Sequence, residues 1–383
     1  MFKKTLAAVA VLGAFAGSAF AANVTLYGSV DTGLGYTYTD AGTDKNTHKF
    51  DLRSGMNGAN KFGLKGVEEL GNGMNVGFSL ENGFEIDDGT INNGGRLFGR
   101  EALIFVNGAF GEIAAGRMGE LASGNGRYGL FGGKVSPIST GWSDIAGHKY
   151  VMADGFARLD NTVTYKTPSF AGVNVLAQYS FKKDNKSTAY GSEVDKDENP
   201  TWKDQREGSS GVDRQYALGV SYTVGDLYLT GIVTQTNVAT SGNGAKADAD
   251  DPLSVSLGGN YNFGVAKLYV ASQYFKDSKL CKVIQGSNAG SKYDGFGLSV
   301  GADVPAFGGT AKVLVAGMDA EDQIGKKDMK RYVFSAGYEY PLSKRTTVYA
   351  GAGYYMDDYD DPAANLDDKA SVTAVNLGIM HSF

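Results

Sequence analysis

Cysteine is nearly absent: Cys281 is the only one in 383 residues. An intramolecular disulfide and any metal site built on several thiolates are therefore excluded. Histidine is scarce too, and His48, His148 and His381 fall in no metal-ligand spacing, so neither a metal nor a cofactor is expected. The sequence carries no nucleophile elbow and no glycine-rich phosphate loop between strand and helix, so no enzyme is expected either. Positive charge is in deficit, with a formal net charge of −6. Such a balance argues against a nucleic-acid partner. Proline is limited to 7 residues, and few long apolar runs follow the first twenty positions.

What is present begins with an export signal. Lys3 and Lys4 precede an apolar run from Leu6 to about Phe15, and Ala19-Phe20-Ala21 supplies a small-residue cleavage site. Residues 1–21 are assigned to the leader and 22–383 to one folded domain, since no linker-like stretch divides the remainder. Loss of Lys3 and Lys4 moves the formal charge from −6 to −8. The 55 glycines, 22 tyrosines and 20 phenylalanines suit many strands joined by turns.

Period-two alternation recurs along the chain. Tyr216, Leu218, Val220, Tyr222 and Val224 share one face, opposite Ala217, Gly219, Ser221 and Thr223. Val255, Leu257, Gly259, Tyr261 and Phe263 repeat the split, as do Phe296, Leu298, Val300, Ala302 and Val304. A soluble sandwich alternates as well, so the connections decide. Short turns at 71–73, 108–111, 168–172, 224–226, 263–264, 305–309 and 341–344 take turns with long polar segments near 40–50, 87–94, 119–157, 184–211, 238–251, 277–291, 320–330 and 358–369. Short connections at one end and long ones at the other are the mark of a transmembrane barrel. Sixteen strands fit, with about 22 residues for each strand and its connection, enough to cross a bilayer at a tilt. Open edges are not tolerated in lipid, and a barrel of this size is too wide for side chains to fill. The expected fold is all-β: a sixteen-stranded antiparallel transmembrane β-barrel around water. Aromatics near strand ends, such as Tyr274, Phe275, Tyr354 and Tyr355, suit interface girdles, although each alone fits an ordinary strand.

Several short segments, in order along the whole chain, carry a family resemblance: Val24-Thr25-Leu26-Tyr27-Gly28, Lys61-Phe62-Gly63-Leu64-Lys65-Gly66, Phe98-Gly99-Arg100-Glu101-Ala102, Phe110-Gly111 leading to Gly116-Arg117, Arg158 to Tyr165, and the terminal Phe383. The chain resembles the Gram-negative general porins of the neisserial and β-proteobacterial type. That resemblance implies passive diffusion of small hydrophilic solutes and ions through the outer membrane, a homotrimer, contact with outer-membrane lipid and lipopolysaccharide, and no catalysis. It also implies that the insertion machinery reads the last strand, where Val375, Leu377, Ile379, His381 and Phe383 share a face. A tyrosine is more usual where His381 stands.

In such porins the third loop folds into the barrel and narrows it, here about 119–157. Its acids are Glu120, Asp144 and Asp154, with Arg127, Lys134, Lys149 and His148 beside them. The resemblance puts a basic cluster of Lys61, Arg100 and Arg158 on the facing wall, with Arg117 as a further candidate. Alternation places Lys61, Gly63 and Lys65 inward. It also turns Leu103 and Phe105 outward and Ala102 and Ile104 toward the lumen, which leaves Glu101 outward and suggests a subunit interface. Acids facing bases would set a transverse field, and the surplus of bases predicts a mild anion preference. The acidic runs Asp248–Asp251 and Asp357–Asp361 read as solvated loop charge, with cation contact as the alternative. A surface adhesin or receptor around an incidental channel is the competing function.

Overall fold

The computed structural model describes residues 24–383 except 44–45, 140–141, 143–144, 154, 186–206, 210, 240–249, 281–283, 285–291, 324–326 and 361–366. The expected leader and Cys281 lie outside the described residues.

The strands are β1 (Thr25–Asp40), β2 (Thr47–Ser54), β3 (Lys61–Gly71), β4 (Met74–Gly83), β5 (Glu101–Gly108), β6 (Gly111–Gly119), β7 (Arg158–Lys166), β8 (Val173–Ser180), β9 (Arg214–Val224), β10 (Leu227–Asn237), β11 (Leu253–Asn262), β12 (Lys267–Ser278), β13 (Tyr293–Ala306), β14 (Gly309–Asp322), β15 (Lys327–Pro341), β16 (Thr346–Tyr359) and β17 (Lys369–Ser382). Apart from β2 and β3, each pairs antiparallel with its sequence neighbours, and β1 closes the ring on β17 in register from Ser29↔Ser382 to Asp40↔Ser371. β2 and β3 occupy one position in the wall. Both pair with β1, β2 along Thr32–Thr39 and β3 along Thr25–Ser29. The barrel therefore has sixteen staves, as the connections predict.

Alternation builds the two faces. Leu218, Leu257, Phe334 and Leu377 stand on the outer surface, each more than half exposed, while Ser254, Ser256, Gln273 and Ser299 are buried inside. The greasy surface suits lipid, and the hydroxyls and amides suit a wet or loop-filled interior. At the first short turn Asn72 and Gly73 have φ of 52° and 73°, the left-handed pair that matches strand twist in a tight hairpin.

Two connections differ from expectation. The polar segment 320–330 is mostly strand, because β14 and β15 stay paired up to Asp322↔Lys327. Above the bilayer both faces meet water, so a ladder there needs no apolar side and its sequence looks like loop. The second stave is broken: residues 55–60 leave the wall between β2 and β3. Asp31 is fully buried beneath this pouch and accepts from the backbone N–H groups of Asn57 (2.9 Å) and Gly58 and from the Tyr349 hydroxyl. Met56 joins the interior packing.

Candidate functional site

The third long connection, L3 (120–157), lies inside the barrel. Its side chains Leu121, Phe131, Ile138, Ile145, Val151 and Met152 are buried almost completely. Each such burial contributes about 1.5–3 kcal/mol, which holds a loop that would otherwise extend into water. The outbound limb crosses the inner faces of β9, β11, β13, β15 and β16 in turn. Tyr228 donates to the Leu130 carbonyl (2.8 Å), Asn260 to Lys134 (2.6 Å) and Ser335 to Ala146 (2.6 Å). Trp142 meets Tyr349 edge-on at 5.4 Å between ring centroids. On the return limb Arg331 donates to the Tyr150 carbonyl (2.8 Å), and Gln273 accepts from the Ala153 N–H (2.8 Å). Every one of these partners is a wall residue.

L3 thus covers the β9–β16 side, and a basic wall stands across from its root. Lys61 Nζ and Arg100 Nε reach the two oxygens of Glu81 at 2.9 and 2.6 Å. Arg100 comes from the bend before β5. Arg158 opens β7 and donates to Asn125 of L3 (3.0 Å), and its Nε has no hydrogen-bond partner among the described residues. Lys65 lies 5.0 Å from the Tyr27 ring centre. Arg127, at the base of L3, forks onto Glu112 (2.8 and 2.6 Å) and stacks on Phe105 at 3.8 Å.

Two cavities meet at Arg127. One, of about 730 Å³, is lined by Lys61, Lys65, Arg100 and Arg127 with Glu69, Glu81 and Glu101. The other, of about 520 Å³, opens toward the short-turn end and holds Arg127, Lys134, Lys166 and Lys267 against Asp226. Burial and then the Lys166 charge hold the Lys134 ammonium below the usual lysine value.

β5 has the reverse of the expected facing. Glu101 stands across from Glu81 and accepts from Ser79 (2.6 Å) and the Arg127 N–H (2.9 Å), so it lies inside the protomer and not in a subunit interface. Leu103 and Phe105 follow it inward at 4 % exposure, while Ile104 is 56 % exposed on the outside. Ala102 to Val106 are apolar on both faces because Phe105 serves as the platform for Arg127, so alternation there could not distinguish inside from outside.

Other candidates are occupied structurally. Glu120 is buried: it accepts from the Ala157 N–H and from Gln215 (2.8 Å), tying the two ends of L3 to the wall. Arg117 donates to the Gly99 carbonyl (2.7 Å) and pairs with Asp160, which also binds Arg96 (3.0 Å) and the Asn185 N–H (2.8 Å). Arg117 thereby fastens two outer loops to the rim. Asp144 and Asp154 lie outside the described residues. His148 is completely buried between Phe131 and Phe156, at 6.2 and 5.7 Å, and burial pushes its imidazole down to about 4. Asp357 is not solvated loop charge: it is buried and forks onto Arg331 at 2.5 and 2.7 Å. Val375, Leu377, Ile379, His381 and Phe383 share the outer face of β17, and Phe383 exchanges both backbone hydrogen bonds with Gly28 (3.1 and 3.0 Å).

A sequence model of the Gram-negative porins matches residues 7–361. The chain belongs to that family. It is 34% identical to an outer membrane porin protein of Bordetella pertussis and 30% identical to outer membrane porin protein 32 of Delftia acidovorans, with all of each chain covered. Among solved structures, the anion-selective porin from Comamonas acidovorans superposes with a TM-score of 0.63 at 25% identity, over 94% of this chain and 100% of that one. This porin resides in the outer membrane, crosses it with sixteen strands, and passes small hydrophilic solutes by diffusion.

Sequence reasoning missed four charged residues of the porin's lumen, Glu81, Glu112, Lys166 and Lys267, and the pouch at 55–60. Glu81 and Glu112 were findable as acids on inward parity in short strands. The pouch left a weaker trace, the turn-prone run Gly55-Met56-Asn57-Gly58-Ala59-Asn60 inside a strand-like stretch.

Proposed function

We propose that the narrowest part of this channel is the gap between L3 and the wall carrying Lys61, Arg100 and Arg158, and that the channel prefers anions mildly. The supporting observation is the charge balance around Arg127. Counting the shared Arg127 once, the two cavities hold seven bases against four acids, with Glu112 as a fifth acid paired to Arg127 beside them. Glu120 lines neither cavity, because it is buried in the attachment of L3. The selective charge therefore sits mainly on the short-turn side of the loop, where low-dielectric walls strengthen its effect on ions. The similar porin from Comamonas acidovorans is anion-selective, which agrees with this reading. A reversal potential in a salt gradient across a planar bilayer tests it, and cation preference would refute it.

The basic start, apolar run and Ala19-Phe20-Ala21 site support the leader below, and the family resemblance supports the assembly. Residues 1–21 are a cleaved leader and 22–383 the mature barrel. The assembled form is a homotrimer in lipid and lipopolysaccharide, the insertion machinery reads Ile379, His381 and Phe383, and the protein acts as a channel without catalysis. Closures in three equal steps would report the trimer; single-step closures would count against it.

A further inference from the structure

Glycine inside a strand is less stable than alanine there and commonly marks close approach of another backbone. On the inner face of this barrel the approaching element is L3. A Cβ on Gly297 of β13 would lie 1.6 Å from the Val151 carbonyl oxygen, and one on Gly353 of β16 would lie 2.2 Å from that of Ile145. On Gly219, Gly258, Gly301 and Gly351 it would meet loop side chains: Leu130 at 2.7 Å, Val135 at 2.7 Å, Pro137 at 2.6 Å and Trp142 at 2.7 Å. By contrast, Gly231, on the outer face, has only Leu257 of the neighbouring strand at 3.2 Å. These six contacts come from a single loop far away in sequence and follow its course from β9 to β16, whereas other inner-face glycines, such as Gly295 and Gly378, meet neighbouring strands.

We propose that these wall glycines form a seat for L3, and that Gly297 and Gly353 set how far the loop stands off the wall and hence how much channel remains. The inference rests on the reading of L3 as the constriction. Gly297 and Gly353 touch loop backbone, which no side-chain trimming can relieve. Gly258 touches the Val135 side chain, which can be shortened. The seat therefore contains two kinds of position, one correctable from the loop and one not.

The test uses the full-length porin, with folding verified by heat-modifiable migration on gels, and reads single-channel conductance and open-channel noise. Gly297→Ala and Gly353→Ala should push L3 into the lumen and lower conductance by about a third or more, with added noise. Gly231→Ala should match wild type. Gly258→Ala should lower conductance, and Val135→Ala in the same chain should restore part of it, since it removes the Cγ1 at 2.7 Å and leaves the Cβ at 3.0 Å, whereas Val151→Ala should not restore Gly297→Ala. A second readout is maleimide labelling of Ala153→Cys in a Cys281→Ser background: slow in the seated loop, faster once Gly297→Ala is added. Wild-type conductance and labelling in folded Gly297→Ala and Gly353→Ala would overturn the seat. Should those two fail to fold, Gly258→Ala decides: a fall partly reversed by Val135→Ala supports the seat, and no fall overturns it. Replacing residues 128–150 by a short Gly-Ser linker separates the two readings. Unchanged conductance there removes the constriction itself, while a rise beside silent glycine variants removes only the seat.

Discussion

His148 carries a titratable ring into the apolar interior of L3, where its neighbours are Phe131, Phe156 and the Ile138 carbonyl. Its imidazole titrates near 4 in place of 6.5, so as the pH falls a proton binds the unpacked loop before the packed one. The packing of L3 is therefore at full strength above about 6.5 and weakens down to about 4, by on the order of 3 kcal/mol. Open-channel noise should rise between pH 6.5 and 4 in wild type and stay flat in His148→Leu; equal rises in both would rule out His148 as the cause. Lys134 and Lys267 belong to the cavity where bases most outnumber acids. Lys134→Glu or Lys267→Glu should lower the anion-to-cation permeability ratio about twofold, measured by reversal potential. At this scale the sequence was legible where the two faces of a strand differ, as at Lys61, Phe62 and Lys65. It was illegible where both faces are apolar, as around Glu101, and where a loop charge such as Glu120 turns into the wall to meet a Gln215 amide.

At the element scale, L3 is anchored to the wall by a buried charge, Arg331 of β15. It forks onto Asp357, both side chains fully enclosed, and its remaining nitrogen holds the Tyr150 carbonyl. Removing one member of such a pair leaves a buried charge and costs about 3–5 kcal/mol, whereas replacing both by apolar groups is often neutral. Arg331→Met should lower the temperature at which the folded band disappears on gels, and Arg331→Met with Asp357→Leu should recover most of it. A double variant no better than the single would refute this account of the pair. The inward course of L3 entered through resemblance together with its length; the physical reason, apolar side chains such as Leu121, Ile138 and Ile145 buried against the wall, came with the structure. The interruption of the second stave was hidden, because a six-residue detour does not disturb the alternation on either side. Charged rows such as Asp319↔Lys330 looked like loop because strand pairing continues where water wets both faces.

Across the whole molecule, closure depends on a seam between the two ends of the chain. β1 and β17 pair from Ser29↔Ser382 to Asp40↔Ser371, and the Phe383 ring lies over Gly28, where an added Cβ would come within 2.3 Å of it. Deleting Phe383 removes both terminal hydrogen bonds and that cover. The yield of folded barrel should fall about threefold or more, read as the compact band on gels, and an unchanged yield would show that the last residue is dispensable for closure. The barrel itself was the most legible feature, since sixteen repeats of one pattern outweigh any local ambiguity. Its interior is less uniform than its outline. On the constriction proposed above, a permeant ion at the level of L3 brushes strand residues along one arc only, because the other arc is lodged behind a tenant segment. Isosteric changes of side chains packed beneath that tenant should leave transit untouched, so re-tuning this protein for a new cargo has three places to draw on: the staves that still face a cavity, the tenant itself, and the seat that sets its height.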